Sequence, residues 1–258
     1  MTGDLTQTLP TSTLVALLLA GVRAAAWLVI CPPFSSRIIP GQIKALLGVA
    51  IALPVVPGLT ATVPDLATGP LMASIAEQVV IGTVLGFLTA LMFAAFQSAG
   101  DLIDLFGGFS IAFAFDPLSA TGNSVFGRFY NLMATTLLFV TDAHQVMLRG
   151  FARSYRTLPL NATLSMSNLD TLLTKGMGQL FMSALQLAGP LVAVLFLADL
   201  GLGLLSRVAP ALNVFSLGFP AKILLTLSLA GMAMLLLPQA VTEVVNQSVQ
   251  AVLQAARP

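Results

Sequence analysis

Charge is what this sequence has least of. Only 8% of its 258 residues are Asp, Glu, Lys or Arg, against roughly a quarter in a soluble domain, while 57% are hydrophobic. So few charges cannot coat a water-facing surface, and water is not the main solvent of this chain. Cysteine and histidine are nearly missing as well. Cys31 has no partner for an intrachain disulfide, and His144 alone cannot build a metal cage. Eleven basic residues against ten acidic ones leave a formal net charge of +1, without the basic stripe that nucleic-acid binding needs. A basic leader is absent too: Asp4 is the only charged residue before Arg23, so the first apolar run is expected to be retained rather than cleaved as a signal. The sequence carries no HExxH, no GxSxG, no GxxxxGK[ST] and no Cys or His cluster. It therefore nominates no catalytic, cofactor-binding or metal residue and points away from an enzyme.

What is present is apolar sequence in long runs. Six stretches stand out: Ser12 to Ile30, Gly41 to Val56, Leu71 to Ala99, Val125 to Val140, Met177 to Ala198 and Ala211 to Leu237. All are expected to be helices, because a backbone in lipid must satisfy its hydrogen bonds internally. The class is thus an all-α, polytopic membrane protein with about six apolar segments. The second stretch is short and bounded by Pro40, Pro54 and Pro57, and the third is longer than a bilayer requires. Arg149, Arg153, Arg156 and Lys175 place the link between the fourth and fifth stretches on the cytoplasmic side, which leaves Arg37 and Lys44 on the wrong one. Topology stays open.

The most unusual segment runs from Gly100 to Gly127, GDLIDLFGGFSIAFAFDPLSATGNSVFG. Phe106, Phe109, Phe113, Phe115, Phe126 and Phe129 fall in or beside it, six of the sixteen in the chain. Gly100, Gly107, Gly108 and Gly122 permit backbone angles that other residues avoid, and the Asp116-Pro117 step disfavours a continuing helix. Two readings fit: a movable hydrophobic constriction that excludes water and ions by dewetting, or aromatic packing of a bent helical hairpin. Asp101, Asp104 and Asp116 bracket the apolar part, and they too have two readings, as intramembrane proton or ion sites or as helix caps.

Arg23, Glu77, Asp199 and Arg207 lie in or beside apolar runs and are costly if they face lipid. They are expected to face other helices; Asp199 and Arg207, eight residues apart, are expected to bind neighbours rather than each other. Gly82 and Gly86 form a GxxxG that lets two helix backbones approach closely, either inside this chain or against a partner.

Taken in order, these motifs resemble the FliR family of the flagellar type III export gate, with its SctT-like relatives in injectisomes. The matching features begin with RIIPGQIK from Arg37 to Lys44, Gly82 to Gly86 and Gly100 to Asp104. They continue with GFSIAFAFDP from Gly108 to Pro117, Asp142 to His144, Arg207 to Phe215 and Leu217 to Lys222. The resemblance implies a pore-forming subunit that assembles with P-type and Q-type subunits and a gate-switch subunit of the B type. It implies a place in the bacterial inner membrane at the flagellar basal body, with unfolded flagellar proteins as the exported cargo.

It further implies a P-like part over residues 1–172 and a Q-like helical hairpin over 173–258. A pore plug loop maps onto 106–122, naming Phe106, Gly107, Gly108, Phe109, Ile111, Phe113, Phe115, Asp116 and Pro117. Subunit packing is expected at Gly82, Gly86, Arg207, Pro210, Asn213, Pro220 and Lys222. The alternative is a secondary transporter of a small solute, which also needs helices broken by Gly and Pro around a midplane site.

Overall fold

The computed structural model describes residues 10–109, 124–162, 166–209 and 214–255. Eight α-helices make up almost all of them: α1 (Thr11–Ile30), α2 (Gly41–Ala52), α3 (Thr68–Gly107), α4 (Val125–Val140), α5 (Ala143–Thr157), α6 (Met166–Val208), α7 (Val214–Ala233) and α8 (Leu237–Ala255). Among the described residues there is no strand, as the sequence implied. Four helices are long and apolar enough to cross a membrane: α1, α3, α6 over Leu169–Val208, and α7 over Ser216–Ala233. With the shorter apolar α2 and α4 they account for the six expected segments. Helices α5 and α8 were not expected, and α3 and α6 run well past the apolar stretches that announced them.

The chain forms two compact units. The first comprises Met1–Ala90, Gln145–Gly176 and Gln247–Pro258. In it α1 and α2 pack as a hairpin that is tightest at Gly48, where a methyl would lie 2.9 Å from the Ala25 nitrogen. The GxxxG of α3 is used here too. A methyl on Gly82 would strike the Arg23 carbonyl and Ala26, and one on Gly86 would lie 2.9 Å from the Trp27 carbonyl oxygen, so α3 rides directly on the backbone of α1.

Such closeness buries Arg23 completely, in the middle of an apolar helix. Its Nε donates to Gln78 Oε1 at 2.7 Å, one terminal nitrogen donates to the Leu158 carbonyl at 2.8 Å, and the guanidinium lies 4.5 Å from the centre of the Tyr155 ring. Gln78 Nε2 in turn donates to the Leu160 carbonyl at 3.1 Å, and the Tyr155 hydroxyl to the Ala20 carbonyl at 2.7 Å. Burial pushes that hydroxyl well above its ordinary value, against the opposing pull of Arg23, so it stays a donor. Arg23 thus faces other helices as its cost in lipid requires, but its partners are a side-chain amide, one backbone carbonyl and an aromatic ring.

The second unit comprises Leu91–His144 and Met177–Asn246. Here α6 buries one narrow stripe, Ala184, Ala188, Leu191 and Leu195, at helical spacing. The rest of its surface stays apolar and exposed, including Phe181, Leu185, Phe196, Leu197 and Leu204. Only 28% of the apolar window of α6 and 17% of that of α7 are buried within the chain, against 44% for α1 and 56% for α3. α1 and α3 find more cover within the chain; among the described residues, α6 and α7 present large exposed apolar faces.

Candidate functional site

The Phe-rich segment leaves α3 and enters α4 within the second unit, and both of its ends are fixed by backbone chemistry. α3 closes with a left-handed residue: Gly108 has φ +85, and the Phe109 amide reaches back to the Asp104 carbonyl at 3.1 Å. That six-to-one bond over a left-handed glycine is the Schellman arrangement, which satisfies a carbonyl the helix end would otherwise orphan. A side chain at position 108 would be strained in this conformation.

α4 begins at Ser124, whose Oγ accepts from the Gly127 amide at 2.8 Å as an N-cap. The same hydroxyl donates to Asp101 Oδ1. One turn along α3, Asp104 Oδ2 accepts from the Phe126 amide at 3.0 Å. Two carboxylates of α3 therefore sit on the N-terminus of α4, where unpaired amides and the positive end of the helix dipole favour negative charge. Asp104 thus caps α4 directly, and Asp101 supports the cap through Ser124. Glycine makes the contact possible, since a methyl on Gly100 would run into the Phe126 carbonyl and one on Gly127 into Ser124 and Asp101.

Above this clamp Phe109 packs edge-on against Phe126, with ring centres 5.3 Å apart. The other side of the α3 terminus rests on α7. A methyl on Gly107 would lie 2.9 Å from both Cγ2 and Oγ1 of Thr226, and one on Gly108 would touch the Phe219 ring at 3.5 Å and the Lys222 stem at 3.9 Å. Thr226 is fully buried and donates to the Lys222 carbonyl at 2.8 Å. Lys222 Nζ pairs with Asp199 Oδ1 of α6 at 2.5 Å.

The residues nominated from sequence are distributed as follows. Phe106, Gly107, Gly108 and Phe109 gather at the clamp, while Ile111, Phe113, Phe115, Asp116 and Pro117 lie outside the described residues, as do Pro210 and Asn213. Gly82 and Gly86 face α1 of this same chain. Arg207 and Pro220 are exposed, and Lys222 is tied to Asp199. The residues sequence reasoning missed are Ser124, Phe219 and Thr226 here, and Gln78 and Tyr155 around Arg23. Ser124 carried a usable signal, a serine directly before an apolar run; the others depend on which helices meet. Among the described residues no group of His, Cys, Asp and Glu is placed to hold a metal ion.

The profile of bacterial export proteins, family 1, matches residues 14–248. The flagellar biosynthetic protein FliR of Pectobacterium carotovorum subsp. carotovorum is 35% identical over 217 residues, covering 84% of this chain and 83% of that one. FliR of Escherichia coli (strain K12) is 33% identical over 209 residues, covering 81% and 80%. The surface presentation of antigens protein SpaR of Shigella flexneri is 31% identical over 153 residues, 58% of each chain. These three are named for flagellar biosynthesis and antigen presentation, none for a catalysed reaction. A match over nearly the whole chain, on an all-α polytopic membrane protein with both ends of its Phe-rich segment clamped, places this chain in family 1 of the bacterial export proteins.

Proposed function

We propose that this chain is a pore-forming subunit of the flagellar type III protein export gate, and that its segment from Phe106 to Gly122 seals the channel until unfolded protein passes. The single observation that carries this reading is the clamp. A run holding Phe106, Phe109, Phe113 and Phe115 is presented from a base held by glycine contacts, the Asp104 and Ser124 caps and a Schellman turn. Rigid feet under an apolar run suit a seal, because dewetting stops ions only where the greasy groups are kept in register with the pore.

The exposed apolar faces of α6 and α7 suit burial against P-type and Q-type sister subunits. On that reading residues 1–172 are the P-like part and 173–258 the Q-like hairpin. Outward-facing Arg207 and Pro220 lie where a sister chain or the B-type gate-switch subunit would pack. The site is the bacterial inner membrane at the basal body, and the cargo is unfolded flagellar protein, driven by energy supplied elsewhere in the apparatus.

Deleting Ile111 to Phe115 tests the reading. Assembled gates lacking these residues are expected to leak ions and small solutes while still forming. An ion-tight membrane containing normal amounts of the deleted gate refutes the seal.

A further inference from the structure

The Asp199–Lys222 pair has no place in the seal as described so far, yet it joins two helices that are each apolar enough to cross a membrane. Opposite charges at such a place neutralise each other, and either one alone is costly. The Lys222 side chain is only 12% exposed, its stem passes where a methyl on Gly108 would reach it, and its Nζ meets Asp199, which is 43% exposed. One turn further along α7, Thr226 bonds the Lys222 carbonyl and fills the space beside Gly107; one turn back, Phe219 lies against Gly108. Three residues at helical spacing on α7 thus form a seat for the glycine pair that ends α3.

We propose that Lys222, held extended by Asp199, is a positioning residue of the seal. With Phe219 and Thr226 it fixes where and in which direction the Phe-rich segment departs from α3. The physical reason is that the Schellman turn fixes the backbone at Gly108 but leaves no side chain there to anchor the turn to its surroundings, so the α7 surface against Gly107 and Gly108 supplies that anchor. The inference rests on the sealing reading and adds to it that the hairpin of α6 and α7 governs the seal.

The test measures ion leak per assembled gate in cells that carry variants of the full chain, with the Ile111 to Phe115 deletion as reference. Lys222→Met keeps the stem and loses the charge; it is expected to raise leak at least fivefold, as is Asp199→Asn. Lys222→Arg, which retains charge and length, is expected to stay within twofold of the parent. The double variant Asp199→Asn with Lys222→Met decides the matter, since it leaves no unpaired charge behind. If the pair serves only to neutralise, the double variant is tight; if it positions the seal, the double variant leaks at least fivefold while its amount in purified gates recovers.

A tight double variant beside a leaking deletion overturns the inference and leaves the sealing reading standing. A double variant that never enters purified gates overturns it too, because the pair then serves assembly. A tight deletion mutant removes the sealing reading and this inference together.

Discussion

Arg23 and Gln78 should be energetically coupled, and the size of the coupling follows from their partners. Gln78→Leu leaves Arg23 Nε without an acceptor and the Leu160 carbonyl without a donor, both in a buried setting. A lost bond to a charged group costs about 1.5–3 kcal/mol and an orphaned buried carbonyl about 1–3, offset in part by the apolar burial of the leucine side chain, for a net loss of about 3 kcal/mol. In a chain of this size that is a fall of about 6–12 °C in the thermal midpoint. Arg23→Met orphans Gln78 Oε1 and the Leu158 carbonyl and gives up the contact with Tyr155, but it also removes a buried charge that lacks a carboxylate partner.

The double variant orphans only the two carbonyls. Its loss should therefore fall short of the sum of the singles by about 1.5–3 kcal/mol, since the side chains each single leaves stranded are gone together. Thermal unfolding of the detergent-purified assembly, followed for parent, both singles and the double, measures this directly. Additivity within about 0.5 kcal/mol, or a Gln78→Leu midpoint unchanged within about 1 °C, would refute the reasoning.

Ser124→Ala removes the N-cap of α4 and one support of Asp101. It is expected to cost about 1–2 kcal/mol and to speed hydrogen exchange at the Phe126 and Gly127 amides, whereas Ser124→Thr should do neither. Cys31 is buried at the end of α1, and desolvation pushes its thiol well above the ordinary range. A raised folded-state value favours the neutral thiol, so its contribution to stability is full below about pH 8.5 and is lost as pH rises beyond it. Iodoacetamide at pH 8.5 should modify Cys31 at least tenfold more slowly in the folded protein than after denaturation; equal rates would contradict the burial.

Much of the fold was legible because apolar runs declare helices whatever the tertiary arrangement. The fourth stretch was marked at Val125–Val140, the bounds α4 adopts, because Ser124 caps one end and Thr141 and Asp142 interrupt the other. The third was cut at Ala99 and the structure continues it to Gly107. Gly100 reads as a breaker by propensity, but here it is the point where the Phe126 backbone crosses, and packing overrides propensity. Pro70 reads as a stop too, yet it sits in the first turn of α3, where its missing amide costs nothing. Helices α5 and α8 went unmarked because a search for apolar runs passes over amphipathic ones.

At the site, the need for a left-handed glycine near 107 and 108 was visible in sequence, since no other residue type adopts it so readily. Whether Asp101 and Asp104 act as caps or as ion sites was not, because the answer depends on where a helix 20 residues away begins. The tie between Asp199 and Lys222 was further out of reach, as it depends on how α6 and α7 pair.

The two feet of the Phe-rich segment stand close together, with the Phe109 and Phe126 rings in contact, and residues 110–123 must leave and return between them. Fourteen residues at about 3.4 Å each make a contour near 48 Å, so no part of the arc can travel more than about 24 Å from its footing. On the sealing reading proposed above, removing two of these residues lowers that limit by about 3 Å, so chain length would bound how wide a conduit the segment could cover.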